Sequence, residues 1–309
     1  MIAELRNLIE TELQRQVSRL EHPLTLPFHE MLTYHMGWSG EGAGPEATGK
    51  RIRPQLLCLV YMACQPAHEV QLVLPAAAAV ELIHNFSLVH DDIEDNSPAR
   101  RGRPTLWTKW GVPMAINAGD ALFVMANQAM MDLAGHHAAE TTLRAAALLH
   151  DTCLNLTRGQ YLDMSFEERL DLELSDYWEM ISGKTAALLS ACCSIGAILG
   201  AADKPIEKNY AAFGHDLGLA FQVQDDILGI WGDEDSTGKS TASDLVEGKK
   251  SLPVLYGLHQ NNEFARRWRL GPVLPAEVQQ MSQLLRDEGA YDYAQEHVKA
   301  WTANAIADL

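Results

Sequence analysis

The sequence has 309 residues, 47% of them hydrophobic, enough to bury a sizeable core in one large domain or two ordinary ones, and a single domain over residues 1–309 is the expectation. Acidic side chains outnumber basic ones 41 to 24, a formal net charge of −17, so the average field repels nucleic acid and anionic membrane surfaces, and any anionic substrate must meet a local basic cluster. Five cysteines (Cys58, Cys64, Cys153, Cys192, Cys193) form no CxxC pair, which argues against a disulfide framework and for buried thiols in a reducing cytoplasm.

Residues 1–16 form an amphipathic segment with early acids, unlike an export leader or a transit peptide. Helix formers dominate from there on. No stretch alternates β-branched and polar residues over a strand's length between hairpin turns, so the expected class is all-α. Breaks are expected at 37–49, 96–113, 200–205, 229–250 and 271–275, separating roughly ten or more helices.

Residues 76–90 carry one charge, Glu81, and run directly into Asp91-Asp92-Ile93-Glu94-Asp95. This pattern is a buried helix ending in carboxylates. At 3.6 residues per turn His84, Leu88, Asp91 and Asp95 share a stripe, so Asp91 and Asp95 lie one above the other. Such a pair suits a hard divalent cation, with room left for waters and phosphate oxygens, and magnesium is the natural ion. A lone DDxxD is more often a solvated helix end. Here it has an echo, Phe221-Gln222-Val223-Gln224-Asp225-Asp226, late in the apolar helix 217–230, with Gln222 a turn before the acids. Two clusters, each on a buried helix, favour the metal reading.

Cations stand where loops meet these helices. Lys50-Arg51-Ile52-Arg53-Pro54 follows the first break, and Arg100-Arg101-Gly102-Arg103-Pro104 follows the first acidic cluster. Guanidinium forks match phosphate oxygens in pairs and lysines act as point charges, so the set suits a diphosphate. Lys184 and Thr185 are expected at the start of a charge-free helix, where backbone N–H groups would also favour an anion. Lys239 and Lys249-Lys250 come later. The charge-free stretch 186–202 contains Ser190, Ser194, Gly196 and Gly200, which makes it a buried core helix rather than an integral membrane segment. Ser182-Gly183-Lys184-Thr185 has the ending of a nucleotide-binding phosphate loop, but Trp178 stands where that loop needs glycine.

With these residues assembled, the chain resembles the trans-polyprenyl diphosphate synthases. The resemblance is carried by GKRIRP (49–54), ELIHNFSLVHDDIEDNSPARRGRPT (81–105), GKT (183–185), FQVQDD (221–226) and GKKSLP (248–253), in the same order and spacing. It implies one large helical bundle of the isoprenoid synthase type around a deep central cavity, a homodimer, and both acidic clusters at the cavity mouth. It further implies that Asp91 and Asp95 hold two magnesium ions and Asp225 helps hold a third, with Asp92 supporting the cluster. Arg100, Lys184, Thr185, Gln222, Lys239 and Lys249 would contact the allylic diphosphate, and Lys50, Arg53, His84 and Arg101 would bind isopentenyl diphosphate. The implied reaction ionises the allylic C–O bond, lets isopentenyl diphosphate attack, and ends with proton loss to the released diphosphate. One position departs from the family pattern: Gly229 stands where the last aspartate of a second DDxxD would be.

Side chains before Asp91 are candidates for the floor that limits product length. Ser87 lies one turn below Asp91, and at ~1.5 Å per residue Phe86 lies roughly 7.5 Å deeper, though the helical angle turns it away from the Asp91 stripe. Within the family, an aromatic at the fifth position before the first aspartate resembles the type that makes the C20 product, geranylgeranyl diphosphate, with C15 farnesyl diphosphate or a longer chain as alternatives. A class I terpene cyclase would share the first acidic cluster but needs no second diphosphate pocket. A catalytically silent subunit would be expected to lose a first-cluster aspartate or a key lysine, and none is lost.

Overall fold

The computed structural model describes residues 1–67, 69–167, 169, 171–232 and 243–309. In chain order its helices are α1 (Ile2–Val17), α2 (Leu26–His35), α3 (Pro45–Thr48), α4 (Ile52–Cys64), α5 (Leu74–Glu94), α6 (Leu106–Trp110), α7 (Val112–Asp132), α8 (Ala139–Phe166), α9 (Leu174–Ile181), α10 (Ala187–Leu199) and α11 (Lys204–Trp231), then Ser243–Glu247, Leu252–Gln260, Glu263–Trp268, Val278–Asp287 and Ala290–Ala307. The all-α expectation holds. Proline stands in the first turn of α2, α3, α5, α7 and Leu252–Gln260, where its fixed φ is preformed and its missing N–H would have had no helical partner.

The strand pair among the described residues is Ala99–Arg100 with Arg103–Pro104. Arg101 (φ 52°) and Gly102 (φ 69°) join them, and positive φ at both positions marks a type I′ hairpin turn. Two-residue strands are too short to show an alternating pattern, so this ribbon was hidden inside the expected break. Elsewhere the breaks shift. Helix α11 continues through Gly229 to Trp231, and Lys239 lies outside the described residues. The sequence also places Lys184 and Thr185 at a helix start, which is incorrect: they sit within a continuous helical run, Leu174–Leu199, so no row of end N–H groups is available there.

The chain divides into two compact units, Met1–Asp151 with Cys192–Glu207, and Thr152–Ala191 with Lys208–Leu309. In the first, α5 is the central element, packed against α7, α4 and α1. Its residues Ala76, Ala77, Ala78, Ala79, Val80, Leu82 and Ile83 are fully buried, because a helix that is small and apolar on every side can accept neighbours all round. In the second unit, Tyr177 and Met180 of α9, Val223 and Ile227 of α11, and Leu255 share one core. A further core joins Ile230, Leu245, Val254 and Phe264. Val70–Glu94 and Leu174–Leu199 are long and apolar enough to cross a membrane, and both are mostly buried inside the protein, as core helices are.

A buried charge network fixes the start of α4. Arg51 takes a left-handed backbone (φ 51°) and its guanidinium is fully enclosed. It donates from Nε to Glu10 at 2.7 Å, from Nη1 to Glu81 at 2.8 Å, and from Nη2 to the Met36 carbonyl at 3.2 Å. Helices α1 and α5 and the end of α2 are thereby tied to the loop that precedes α4. Glu81→Ala removes one anion and leaves a buried guanidinium partly unpaired, with an expected loss on the order of 3 kcal/mol in denaturant unfolding; a midpoint unchanged from the parent would contradict this account.

His35, the last residue of α2, has its Nε2 enclosed without a partner. Burial, reinforced by the charges of Arg100, Arg101 and Arg51, pushes its imidazolium down to about 3. The unfolded chain takes a proton on this histidine below about pH 6.5 and the folded chain does not, so this contribution is full above that pH and is lost as pH falls towards 3, at up to about 1.4 kcal/mol per unit. Denaturation midpoints measured down this window should fall less steeply in His35→Leu than in the parent.

Candidate active site

In the first unit, α5 delivers Asp91 and Asp92 at its last turn and Asp95 at its cap. The Asp95 N–H closes on the Asp91 carbonyl and the Ser97 N–H on that of Asp92, both at 2.9 Å, and Asn96 (φ 52°) turns the chain out of the helix. The hairpin that follows brings Arg100 back over the carboxylates. Its Nε donates to Asp92 Oδ1 at 2.7 Å, while Nη2 lies 3.6 Å from Asp91 Oδ2. Asp92 is buried and Asp91 more open. Burial pushes the Asp92 carboxyl up to about 6, with Arg100 opposing it.

Beside this cluster, Arg53 at the start of α4 faces His84 on α5, with Nη1 3.4 Å from Nε2. A guanidinium only donates, so Nε2 accepts and the ring proton is assigned to Nδ1. Burial, then the Arg53 charge, holds His84 well below the usual histidine range and therefore neutral. Arg53 Nε is enclosed with no partner. A buried donor of that kind is what an anion would satisfy. Arg101 donates from Nη1 to the Ala47 carbonyl at 2.9 Å, and a cavity of about 30 Å³ lies among His35, Ala47, Asp92, Arg100 and Arg101. Lys50 is exposed. Arg103 is spent on the fold: it donates to the carbonyls of Tyr34, Ser39 and Glu41 and lies 3.9 Å from the Tyr34 ring centre.

Phe86, on another face of α5, meets Phe123 of α7 at 5.1 Å between ring centres and His90 at 4.8 Å. The Ser87 hydroxyl donates to the His84 carbonyl at 2.8 Å.

The second unit carries the other half of the residue set. Residues Ser182–Ala186 form a π-helical turn between α9 and α10. One extra residue in a helical turn redirects the side chains around it, and such bulges recur at functional sites. Gly159 of α8 makes room for it: a Cβ there would fall 2.6 Å from the Gly183 carbonyl carbon and 2.7 Å from Lys184 Cα. From this turn Lys184 Nζ reaches Asp163 Oδ2 at 2.5 Å, and the Thr185 hydroxyl donates to Gln222 Oε1 at 2.6 Å. Gln222 Nε2 in turn donates to Asp226 Oδ1 at 3.0 Å.

Asp226 is buried and held from three sides, by Gln222, by the Tyr177 hydroxyl at 2.7 Å and by the Leu252 N–H at 2.9 Å. Burial pushes its carboxyl up to about 7 against those donors. Asp225 beside it is exposed. Lys249 pairs with Glu247 at 3.1 Å, and Lys250 is buried with its ammonium 5.1 Å from the Trp268 ring centre.

Among the described residues, no three His, Cys, Asp or Glu side chains close on a point to cage a metal. Magnesium does not need such a cage. It keeps several waters and is held through one or two carboxylates plus substrate phosphates. Asp91, Asp95 and Asp225 fit that demand, while Asp92 and Asp226 are taken up by the protein itself. Sequence reasoning missed Tyr177 and Asp163, and named Asp226 and Glu81 without assigning either a role. The double aspartate was a signal for Asp226. Asp163 had a weaker one, lying one helical turn after Gly159 on the same face of α8.

A family model described as polyprenyl synthetase matches residues 44–285. The chain is 41% identical over 263 residues to the (2E,6E)-farnesyl diphosphate synthase of Mycobacterium bovis, covering 84% of this chain and 70% of that one. It is 37% identical over 304 residues to the geranylgeranyl diphosphate synthase of Mycobacterium tuberculosis, covering 96% and 84%. The crystal structure of a polyprenyl synthetase from Streptomyces coelicolor A3(2) superposes with a TM-score of 0.88 at 34% identity, covering 99% of this chain and 91% of that one. With the motif span 49–253 inside the matched residues and the all-α fold shared, the chain belongs to the polyprenyl synthetase family and is a prenyltransferase of the short-chain trans-prenyl diphosphate synthase type.

Proposed function

We propose that the chain condenses isopentenyl diphosphate head to tail with allylic diphosphates and releases geranylgeranyl diphosphate, C20. The observation that carries the reaction is the repeated arrangement of the acidic pairs. In each, the second aspartate is buried and anchored while the first stays open at the helix surface. In this reading Asp91 and Asp95 hold two magnesium ions and Asp225 a third. When bound, these ions neutralise charge on the departing diphosphate.

The chain's own residues do the rest. Arg100, Lys184, Thr185, Gln222 and Lys249 orient the allylic diphosphate, and Lys239, outside the described residues, belongs to the same set. Lys184 is held by Asp163 and Thr185 by Gln222, so both approach the reacting carbon from fixed positions. Lys50, Arg53 and Arg101, with neutral His84, hold isopentenyl diphosphate. The enclosed, unpartnered Nε of Arg53 supports an anion there. The allylic C–O bond breaks heterolytically, the isopentenyl double bond attacks the allylic carbon, and the proton lost in closing the new double bond leaves on the released diphosphate. Apolar walls keep water from the cation.

For chain length the support is the aromatic pair Phe86 and Phe123, on α5 and α7, which would block an extending chain below the first acidic cluster. Farnesyl diphosphate is the second reading, since a wall so near the carboxylates also suits a shorter product. A homodimer is supported by Ile116, Val124 and Met131, large apolar residues that α7 leaves exposed. Free thiols at all five cysteines are compatible with the cytoplasm.

Purified chain given isopentenyl diphosphate, C5, C10 or C15 primer and magnesium should yield C20 product by chromatography and none with chelator present. Asp91→Ala should lower the rate by about 10²-fold or more, as loss of a charge-stabilising group does. Retained turnover under chelation would sink the reading. Phe86→Ala should shift products beyond C20, and the shift should grow when Phe123→Ala is added; an unchanged product profile in the double variant would place the floor elsewhere.

A further inference from the structure

The π-helical turn Ser182–Ala186 meets α11 through residues at helical spacing, His215, Gly218 and Gln222. In the middle of this set the backbones nearly touch: a Cβ built on Gly218 would fall 2.5 Å from Ala186 Cα and 2.9 Å from its Cβ. Against α8, a Cβ on Gly183 would fall 2.9 Å from the Asn155 carbonyl oxygen and 3.0 Å from Gly159 Cα. Contacts of this kind let helices approach but carry no direction, so a turn resting on them alone is free to rotate. Hydrogen bonds do carry direction.

Two such bonds flank the Gly218 contact along α11. One is the bond from Thr185 to Gln222. The other joins Ser182 Oγ to His215 Nε2 at 2.7 Å. His215 Nδ1 lies 3.1 Å from Asp216 Oδ1. An ionised carboxylate only accepts, so the ring proton is assigned to Nδ1, and Nε2 accepts from the serine hydroxyl. The two bonds differ in one respect. In the reading above Thr185 contacts the allylic substrate, so its hydroxyl changes partners when substrate arrives, whereas Ser182 has no substrate role. The Ser182 bond therefore stays in place through the reaction.

We propose that His215 is a positioning residue for prenyl transfer: by accepting from Ser182 it locks the rotation of the π-helical turn against α11, and through that turn it aims Lys184 and Thr185. The inference rests on the prenyl-transfer reading above. Neither Ser182 nor His215 touches substrate in that reading, so the effect falls on turnover rather than on the binding of isopentenyl diphosphate. Asp216 takes part at one remove, by holding the ring in the tautomer that accepts.

The test is steady-state kinetics on the full chain with isopentenyl diphosphate, the C10 and C15 primers and magnesium. His215→Phe keeps a ring and removes the acceptor. Its kcat should fall by roughly 10-fold, short of the roughly 10²-fold that misplacing a group by about 1 Å can cost, while KM for isopentenyl diphosphate stays at the parent value. His215→Gln, whose amide oxygen can accept from Ser182, should recover most of the rate, which a loss of ring packing alone would not allow. Ser182→Ala should match His215→Phe, and the two combined should fall no further than either alone, because both remove one bond. Being the smaller change, Ser182→Ala decides the matter where a ring variant does not fold. Full turnover in Ser182→Ala, equal losses in His215→Gln and His215→Phe, or losses that multiply in the double variant each overturn the inference. Parent protein that extends neither primer would instead overturn the prenyl-transfer reading and this inference together.

Discussion

Adjacent side chains on an α-helix diverge by about 100°, so an Asp-Asp pair cannot turn both carboxylates towards one ion. This constraint organises both acidic clusters. Asp92 goes inward to Arg100 and Asp226 inward to Tyr177, Gln222 and the Leu252 N–H, which leaves Asp91 and Asp225 facing out. The inward partner fixes the rotation of its helix and hence the direction of the outward one. Both buried carboxyls are pushed up in pKa, to about 6 and about 7, because burial opposes their charge more than their donors favour it. That cost is the physical trace of a residue kept for position.

The basic side of the first unit is built on an opposite arrangement. In a chain of net charge −17, a group of arginines must be held together despite mutual repulsion. Arg51 is neutralised by Glu10 and Glu81, and Arg103 is absorbed by three backbone carbonyls and the face of Tyr34. These two shape the loop and hairpin that carry Arg53, Arg100 and Arg101. His84 stays neutral among them, so it adds a polar contact without adding repulsion. The type I′ turn matters here because it returns the chain over α5 within two residues.

In the second unit geometry is set by close backbone approach. Gly159 lets α8 touch the π-helical turn, and the turn aims Lys184 at Asp163 and Thr185 at Gln222. Gln222 then links Thr185 to Asp226, so the hydroxyl of the π-helical turn and a buried carboxylate on α11 belong to one hydrogen-bonded chain. Shifting any member disturbs the others, since each polar group in a buried network depends on its neighbours for satisfaction.

Periodicity and composition were enough to read the all-α class, the apolar run of α5 and the two acidic clusters, because these depend on which residues recur at helical spacing. The basic groups at the start of α4 and just after α5 were legible for the same reason: charge in an acidic chain stands out. Periodicity alone did not say which member of each aspartate pair faces outward, and only the family resemblance pointed to Asp91 and Asp225, since the choice depends on Arg100 and Tyr177, residues brought near by the fold. The placement of Lys184 at a helix start was wrong because a π turn leaves no glycine-proline signature and simply lengthens the helix. Gly229 read as a missing carboxylate along the chain. Only tertiary packing brings the Asp244 carboxylate into that space, and no local pattern encodes a contact between elements separated in sequence.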